Sequence, residues 1–280
     1  MTAATLPDWR ALADCDDSHW PLLDAVLRVA ADEYPQLDVA ACHARLQGHA
    51  DVLAVEVASI DSLPLKLAAI NRHLFHEQDY GPAADYYAAD NNHLNRVLES
   101  RRGNPIALAI IQVEVATRLG LPVHGVSFPG HFLTTLDIDG QATLVMDPYH
   151  GGRPLGLEQL EALAAHHLGG QAPEPELLVR LLMPTPVRGI VLRLLRNLQR
   201  SWSQQGHWEK VARCADRQWL LAPENHDALR DRGLAYAELG HVAAARRDLE
   251  RYLVLQPEAA DAQAIGQRLL NLPVLPGRLH

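Results

Sequence analysis

The fifteen residues from Pro105 to Leu119 constrain this chain more than any other segment. Ile106, Ala107, Leu108, Ala109, Ile110, Ile111, Val113, Val115 and Ala116 put apolar groups nearly all round a helix. A helix with no face for water belongs in the middle of a domain, covered on several sides. Both its ends are marked. Asn104 suits the N-cap, and Pro105 suits the first helical position, where a missing N–H costs nothing. Gly120 suits the residue just past the end, with Pro122 beyond it.

The segments before and after supply the cover. Leu22, Leu23, Val26, Leu27 and Ala30 recur at helical spacing, and Asp38 to Gly48 and Ala50 to Ser59 give two further short helices. Leu63 to His76 reads as a longer amphipathic helix, followed by a polar loop, Asp79 to Asn92, and a short helix ending at Ser100. After the central helix come three strand candidates: Val123 to Phe128, His131 to Ile138 and Gln141 to Met146, the last two joined through Asp139-Gly140. That dipeptide is a hairpin signal. A helix over Leu157 to His167 and a Gly/Pro-rich linker, Gly169 to Glu176, complete the first part.

The remainder repeats itself. Gly206 and Gly240, Pro223 and Pro257, Arg196 and Arg230, Trp202 and Tyr236, and Leu221 and Leu255 are each 34 residues apart. That is the tetratricopeptide period. The second copy carries Gly233, Tyr236, Gly240, Ala245 and Pro257 at the expected places, and Glu258 to Leu270 gives a third helix to cap the stack.

Composition permits these cores and narrows the function. Apolar residues make up 48% of the 280 and charged residues 21%, a globular balance. A net charge of -9 with no basic block argues against nucleic acid or an anionic membrane as partner. Met1 to Arg10 lacks the pattern of a secretory signal, and no apolar run reaches the roughly 20 residues that span a bilayer. A soluble, cytoplasmic protein is expected. Cys15, Cys42 and Cys214 are too scattered for a disulfide framework or a zinc site, and no cofactor is implied.

The segment from Asn95 to Gly152 resembles a transglutaminase-like domain, a relative of the papain-type cysteine proteases. The pattern there is a cysteine at the start of a central buried helix, a Gly-x-Pro after it, a His on one strand and an Asp on the next. Here the resemblance places His131 (in Pro129-Gly130-His131-Phe132) and Asp147 (in Met146-Asp147-Pro148) in the catalytic positions, and Pro105 where the cysteine nucleophile stands. The runs Leu94 to Ile106, Phe128 to Phe132 and Asp147 to Gly152 look like the bacterial SirB-type branch, which joins this domain to C-terminal tetratricopeptide repeats and as a rule lacks the cysteine.

The chemistry of the pattern stands apart from the resemblance. A helix N-terminus lowers a thiol's pKa and offers N–H groups to an oxyanion. The His takes the proton and the Asp fixes its tautomer. Whether His131 and Asp147 meet depends on the hairpin. A two-residue loop pairs Ile138 with Gln141 and puts them on opposite faces. A three-residue loop, Ile138 to Gly140, pairs Asp137 with Gln141 and sets His131 opposite Asp147. The second register is the expected one.

Each feature also has a plainer explanation. His131 and Asp147 would serve equally as a buried pair that locks the hairpin, since buried polar groups need partners whatever the function. Asn104 is first of all a cap, with an amide that could also face the site. Tyr86, in Asp85-Tyr86-Tyr87, borders the cleft by resemblance or sits in an ordinary turn. His73 and His76 share a helix face but lack a third metal ligand. Arg196 and Arg230 lie on a helical stripe that is either a solvated face or a groove for an acidic peptide.

The expectation is an α+β protein. A helical N-terminal region and a transglutaminase-like, papain-like core with a small antiparallel sheet fill about 1–182, and a tetratricopeptide-type helical unit fills 187–272. The leading function is a non-catalytic interaction or regulatory protein with a degenerate cleft and a protein or peptide partner. The alternative is a hydrolase or acyl-transfer enzyme using His131 and Asp147 with water or a non-standard nucleophile.

Overall fold

A computed structural model describes residues 6–138, 140 and 142–273. The described residues form two compact units, one of residues 6–7 and 16–191 and the other of residues 8–15 and 192–273. The short helix α1 (Trp9–Asp14) therefore goes with the C-terminal repeats, although it lies at the start of the chain.

In the first unit, α2 (Leu22–Ala31), α3 (Val39–Ser59), α4 (Leu63–Asn71) and α5 (Leu94–Ser100) precede the central helix α6 (Pro105–Arg118). A two-residue parallel ladder pairs β1 (Gly81–Pro82) with β2 (Arg102–Gly103) beside α5. The segment expected as two short helices is the single α3. Asp38 caps its first turn through Ala41 N at 2.9 Å, and Ala50, Leu53 and Val57 carry its buried face past Gly48.

Helix α6 starts and stops where its sequence says. Asn104 is extended and its Oδ1 accepts from Ala107 N at 3.0 Å. At the other end Gly120 takes φ +76°, Gly120 N donates to Thr117 O and Leu121 N to Ala116 O, the paired bonds of a Schellman stop. Between them eleven residues, from Pro105 to Ala116, are buried. The helix is enclosed by α2, α3, α4 and α5 and by two strands of the sheet.

That sheet is an antiparallel meander of β3 (Val123–Val126), β4 (Leu133–Ile138), β5 (Ala142–Asp147) and β6 (Arg153–Pro154), in that order. A second core of Val126, Phe128, Leu133, Val145, Leu155, Leu160, Ala164 and Leu178 is closed by α7 (Leu157–His167) and α8 (Pro175–Leu181). The hairpin register differs from the expected one. Ile138 pairs with Ala142 and Asp137 with Thr143, so the connection spans 139–141 rather than 138–140. Asp137 Oδ1 accepts from Gly140 N at 2.9 Å, which draws the turn one residue further along. Asp139 and Gln141 lie outside the described residues. The shift moves every pairing by two positions, an even number, so the faces are kept.

A buried polar chain runs through the middle of this unit. Thr134 Oγ1 on β4 donates to Gln112 Oε1 on α6 at 2.6 Å. Gln112 Nε2 donates to Asn71 Oδ1 at the end of α4, and Asn71 Nδ2 donates to Gly152 O at 2.9 Å. Gln112 and Thr134 are fully buried and Asn71 nearly so. Gly152 takes φ +69°, and a Cβ there would lie 2.6 Å from the Asn71 amide carbon, so both the turn and the close approach require glycine.

Helix α4 does not run on as an α-helix to His76. It widens into a π turn over Arg72–Glu77, with Gln78 N bonding to His73 O at 2.9 Å. His73 is buried between His49 (3.1 Å) and Glu77 (3.2 Å), while His76 is exposed beside Gly151. Burial, with the charge of His73 second, pushes His49 down to about 4.

In the second unit α1 packs on α10 (Trp208–Leu221), with Arg217 5.3 Å over the Trp9 ring. Helix α9 (Val187–Gln204) enters it at Leu192, and α11 (His226–Glu238), α12 (Val242–Leu255) and α13 (Ala262–Leu270) follow. The 34-residue period is repeated bond for bond. Gly206 and Gly240 have φ +72° and +73°. His207 N bonds to Trp202 O and His241 N to Tyr236 O, and Val211 N bonds to His207 O and Ala245 N to His241 O. No helix among the described residues is long and apolar enough to cross a membrane.

Replacing Gln112 with Leu removes the middle of the polar chain and leaves the Thr134 hydroxyl and the Asn71 amide without their bonds to it. The expected cost is about 2–3 kcal/mol of unfolding free energy, measured by chemical denaturation of the full chain.

Candidate functional site

His131 and Asp147 meet at the mouth of the hairpin. His131 is not yet in β4. It sits in a turn closed by its own N–H to Phe128 O at 3.1 Å, with Gly130 before it at φ +65°. Asp147 is the last residue of β5 and only 1% exposed. Its Oδ1 lies 2.8 Å from His131 Nε2. The pair thus meets, in a register shifted by two from the expected one.

The same carboxylate holds a second histidine. Asp147 caps the 3₁₀ turn Pro148–His150, accepting from His150 N at 3.3 Å, and its Oδ2 lies 2.6 Å from His150 Nδ1. The turn closes with Gly152 N donating to Asp147 O at 2.8 Å. Sequence reasoning gave His150 no role. The signal was a His three residues after an Asp at a strand end, which brings a capping carboxylate and its turn's third side chain together. Among the described residues, the two histidines are the basic groups paired with Asp147. Burial works to raise the Asp147 carboxyl, but the hydrogen bonds and charges of His131 and then His150 outweigh it and hold the group below its ordinary value.

Aromatic rings line the approach. Tyr149 stands edge-on to His131 at 5.9 Å and to His150 at 5.2 Å, and Tyr86 stands edge-on to Tyr149 at 6.2 Å. Burial raises the Tyr149 hydroxyl, and Tyr86 and Asp147 add to the effect. Tyr86 is exposed and does border the site. Its loop is tied to the start of α6. Asn91 Nδ2 donates to Asp85 O at 2.5 Å, Asn104 N to Asn91 O at 3.4 Å, and Asn104 Nδ2 to Asn92 Oδ1 at 2.6 Å. Asn104 thus spends its amide oxygen on the cap and its amide nitrogen on Asn92. Pro105, buried at the first position of α6, brings neither a nucleophile nor an N–H. Helix α6 packs against the Pro148–His150 turn.

The cysteines stand elsewhere. Cys42, on α3, lines a cavity of about 510 Å³ with Tyr34, Asp38, Arg45 and Asn95, and burial pushes its thiol up to about 11. Cys15 and Cys214 belong to the second unit.

In that second unit the two candidate arginines differ. Arg196 is exposed and lines a groove of about 450 Å³ with Arg200, Ser203, Trp208 and Leu234. Arg230 is engaged inside its own unit, with Asp231 at 2.8 Å, Asp261 at 2.9 Å and Asp227 at 3.1 Å, over the face of Tyr252. The residues at the positions of Asp227 and Asp231 one repeat earlier are Arg193 and Asn197, so the repeat does not carry this network back to Arg196.

A central buried helix, a His just before β4 and an Asp at the end of β5, followed along the chain by a repeat unit, define a class of protein. The transglutaminase-like superfamily profile matches residues 39–196, and a tetratricopeptide repeat profile matches residues 198–270. A UPF0162 protein of Xylella fastidiosa strain 9a5c is 47% identical over 95% of both chains. The UPF0162 protein YchA of Escherichia coli K12 is 27% identical over 94% of this chain and 97% of its own, and Protein SirB1 of Salmonella typhimurium 26% over 89% and 91%. The chain belongs to the transglutaminase-like superfamily, among the UPF0162 proteins that join this domain to tetratricopeptide repeats.

Reversing Arg230 to Glu sets a fourth carboxylate among Asp227, Asp231 and Asp261 and is expected to lower the thermal midpoint by several degrees. Arg196→Glu is expected to leave it within about a degree, as surface changes away from such networks do. Calorimetry on the two variants separates them.

Proposed function

We propose that this protein is a non-catalytic interaction or regulatory protein, with a transglutaminase-like cleft that binds rather than reacts. The observation that carries the reading is Pro105. By the resemblance it stands where the nucleophile would, at the start of α6 behind an intact Asn104 cap, and α6 packs on the turn that follows the assembled His131–Asp147 pair. Acyl transfer by a covalent route needs a nucleophile next to the base. Cys42 is a poor substitute, since a thiol pushed up to about 11 is almost wholly protonated at neutral pH.

The repeat unit supports the interaction half of the reading. Tetratricopeptide stacks present concave surfaces to extended peptides. The groove sets Arg196 and Arg200 opposite Asp231 and Glu238 over an apolar floor of Trp208 and Leu234, which suits a peptide with an apolar anchor and an acidic group placed to meet the arginines. Arg230 is not part of that recognition surface, because its charge is already matched.

A second reading is a hydrolase that uses water. It draws on the 2.8 Å His131–Asp147 contact, which is the geometry of a base with its orienting carboxylate.

A thiol-directed activity probe decides between a hidden cysteine enzyme and the non-catalytic reading. The full chain is expected to label only slowly, at a rate unchanged by His131→Ala. Fast labelling at one cysteine that disappears in His131→Ala contradicts the proposal. Turnover of an ester or amide substrate that is lost in the same variant, without labelling, points to the water reading.

A further inference from the structure

The sequence suggests no metal, and the His73–His76 pair does not form a site, since His73 faces inward and His76 outward. A different group does converge. His131, Asp147 and His150 each offer a ligand atom, and these atoms all lie within 4.8 Å of one another. We propose that this trio binds one divalent transition-metal ion of the zinc type, through His131 Nε2, an Asp147 oxygen and His150 Nδ1.

Three features of the site carry this. The first is charge. Asp147 is 1% exposed and, among the described residues, no Lys or Arg pairs with it. A buried carboxylate needs a compensating cation, and buried charges are paired or coordinate metals. The second is donor chemistry. Two imidazoles and one carboxylate are the ligand set of open, three-residue zinc and related first-row sites, and a single oxygen donor is too few for calcium or magnesium. The third is spacing. Metal–ligand bonds near 2.0–2.2 Å at tetrahedral angles set donors about 3.3 Å apart. Here His131 Nε2 lies 2.8 Å from Oδ1 and His150 Nδ1 2.6 Å from Oδ2, and the three ligand atoms lie within 4.8 Å of one another, so side-chain rotations bring them round one ion. The His150 side chain is half exposed and has room to rotate.

The surroundings fit a held ion with one open side. Asp147 is fixed by its cap on the turn and by the Gly152–Asn71–Gln112–Thr134 chain behind it, and Tyr149 walls the two imidazoles. Coordination replaces the two N–H···O bonds, and each neutral imidazole then carries its proton on its other nitrogen. The exposed side leaves a position for water or an anionic group. An ion there gives the cleft a way to hold a carboxylate or phosphate without a nucleophile. Uptake of the ion does not depend on the cleft being non-catalytic.

The test is titration of the metal-stripped full chain with Zn²⁺ by calorimetry, and with Co²⁺ by its visible absorption, which reports the coordination shell directly. One equivalent with micromolar or tighter affinity is expected. Losing a partner behind a metal ligand already costs about 10–100-fold in affinity, so losing a ligand is expected to cost at least that much. His150→Ala is the decisive variant, because its ring is half exposed, and circular dichroism of the metal-free variant confirms that the fold is kept. His131→Ala and Asp147→Asn are expected to act alike, and His73→Ala to bind as the parent does. No saturable uptake below millimolar Zn²⁺ overturns the site. So does uptake that survives His150→Ala or vanishes in His73→Ala. The titration reads the metal while thiol labelling reads the nucleophile, so failure of one leaves the other standing.

Discussion

Asp147 is a carboxylate taken almost entirely out of water, and the first unit is arranged around keeping it there. Both of its oxygens face imidazole nitrogens, at 2.8 Å and 2.6 Å, and its main-chain carbonyl accepts from Gly152. Removing one partner from a buried charge costs far more than the pair contributes, so such a group fixes the positions of its neighbours. Behind it the polar chain from Gly152 through Asn71 and Gln112 to Thr134 ties the turn to α4, α6 and β4. The turn that carries the site is therefore anchored through the domain core.

Helix α6 supplies the other half of the arrangement. Its N-terminus is built as carefully as one that serves a nucleophile: capped by Asn104, which is itself held by Asn91 and Asn92, and packed against the Pro148–His150 turn. The residue at its first position is the exception. Pro105 satisfies the helix and supplies no chemistry. On the proposed reading, the backbone of a nucleophile site is kept while its reacting atom is absent.

Much of this was legible in the sequence where a local rule acts alone. The ends of α6 followed from Asn104-Pro105 and Gly120, and the repeat from residues 34 apart whose equivalent hydrogen bonds recur in the structure. The meeting of His131 and Asp147 was legible too, because strand parity survives a register shift of two. The register itself was not. The Asp139-Gly140 dipeptide announced a turn, but the Asp137 side chain bonding to Gly140 N decided where the ladder closed. His150 was not legible because Asp-Pro-Tyr-His reads as an ordinary turn until the structure shows its capping carboxylate to be the partner of His131. The π turn at Arg72–Glu77 has no linear signature, since it answers to the burial of His73 against His49 and Glu77. By period alone Arg230 reads as the counterpart of Arg196. Its acidic neighbours Asp227 and Asp231 have no counterparts one repeat earlier.

The central claim is that the architecture of a nucleophile site is intact at Pro105. It is tested most directly by restoring the missing residue. In Pro105→Cys, the pH dependence of alkylation reads the thiol's pKa. A preserved helix start beside His131 predicts a value of about 7 or lower, against roughly 8.5 for a free cysteine, returning towards the ordinary value when His131→Ala is added. A thiol at 105 that titrates at or above 8.5, with or without His131, contradicts the account.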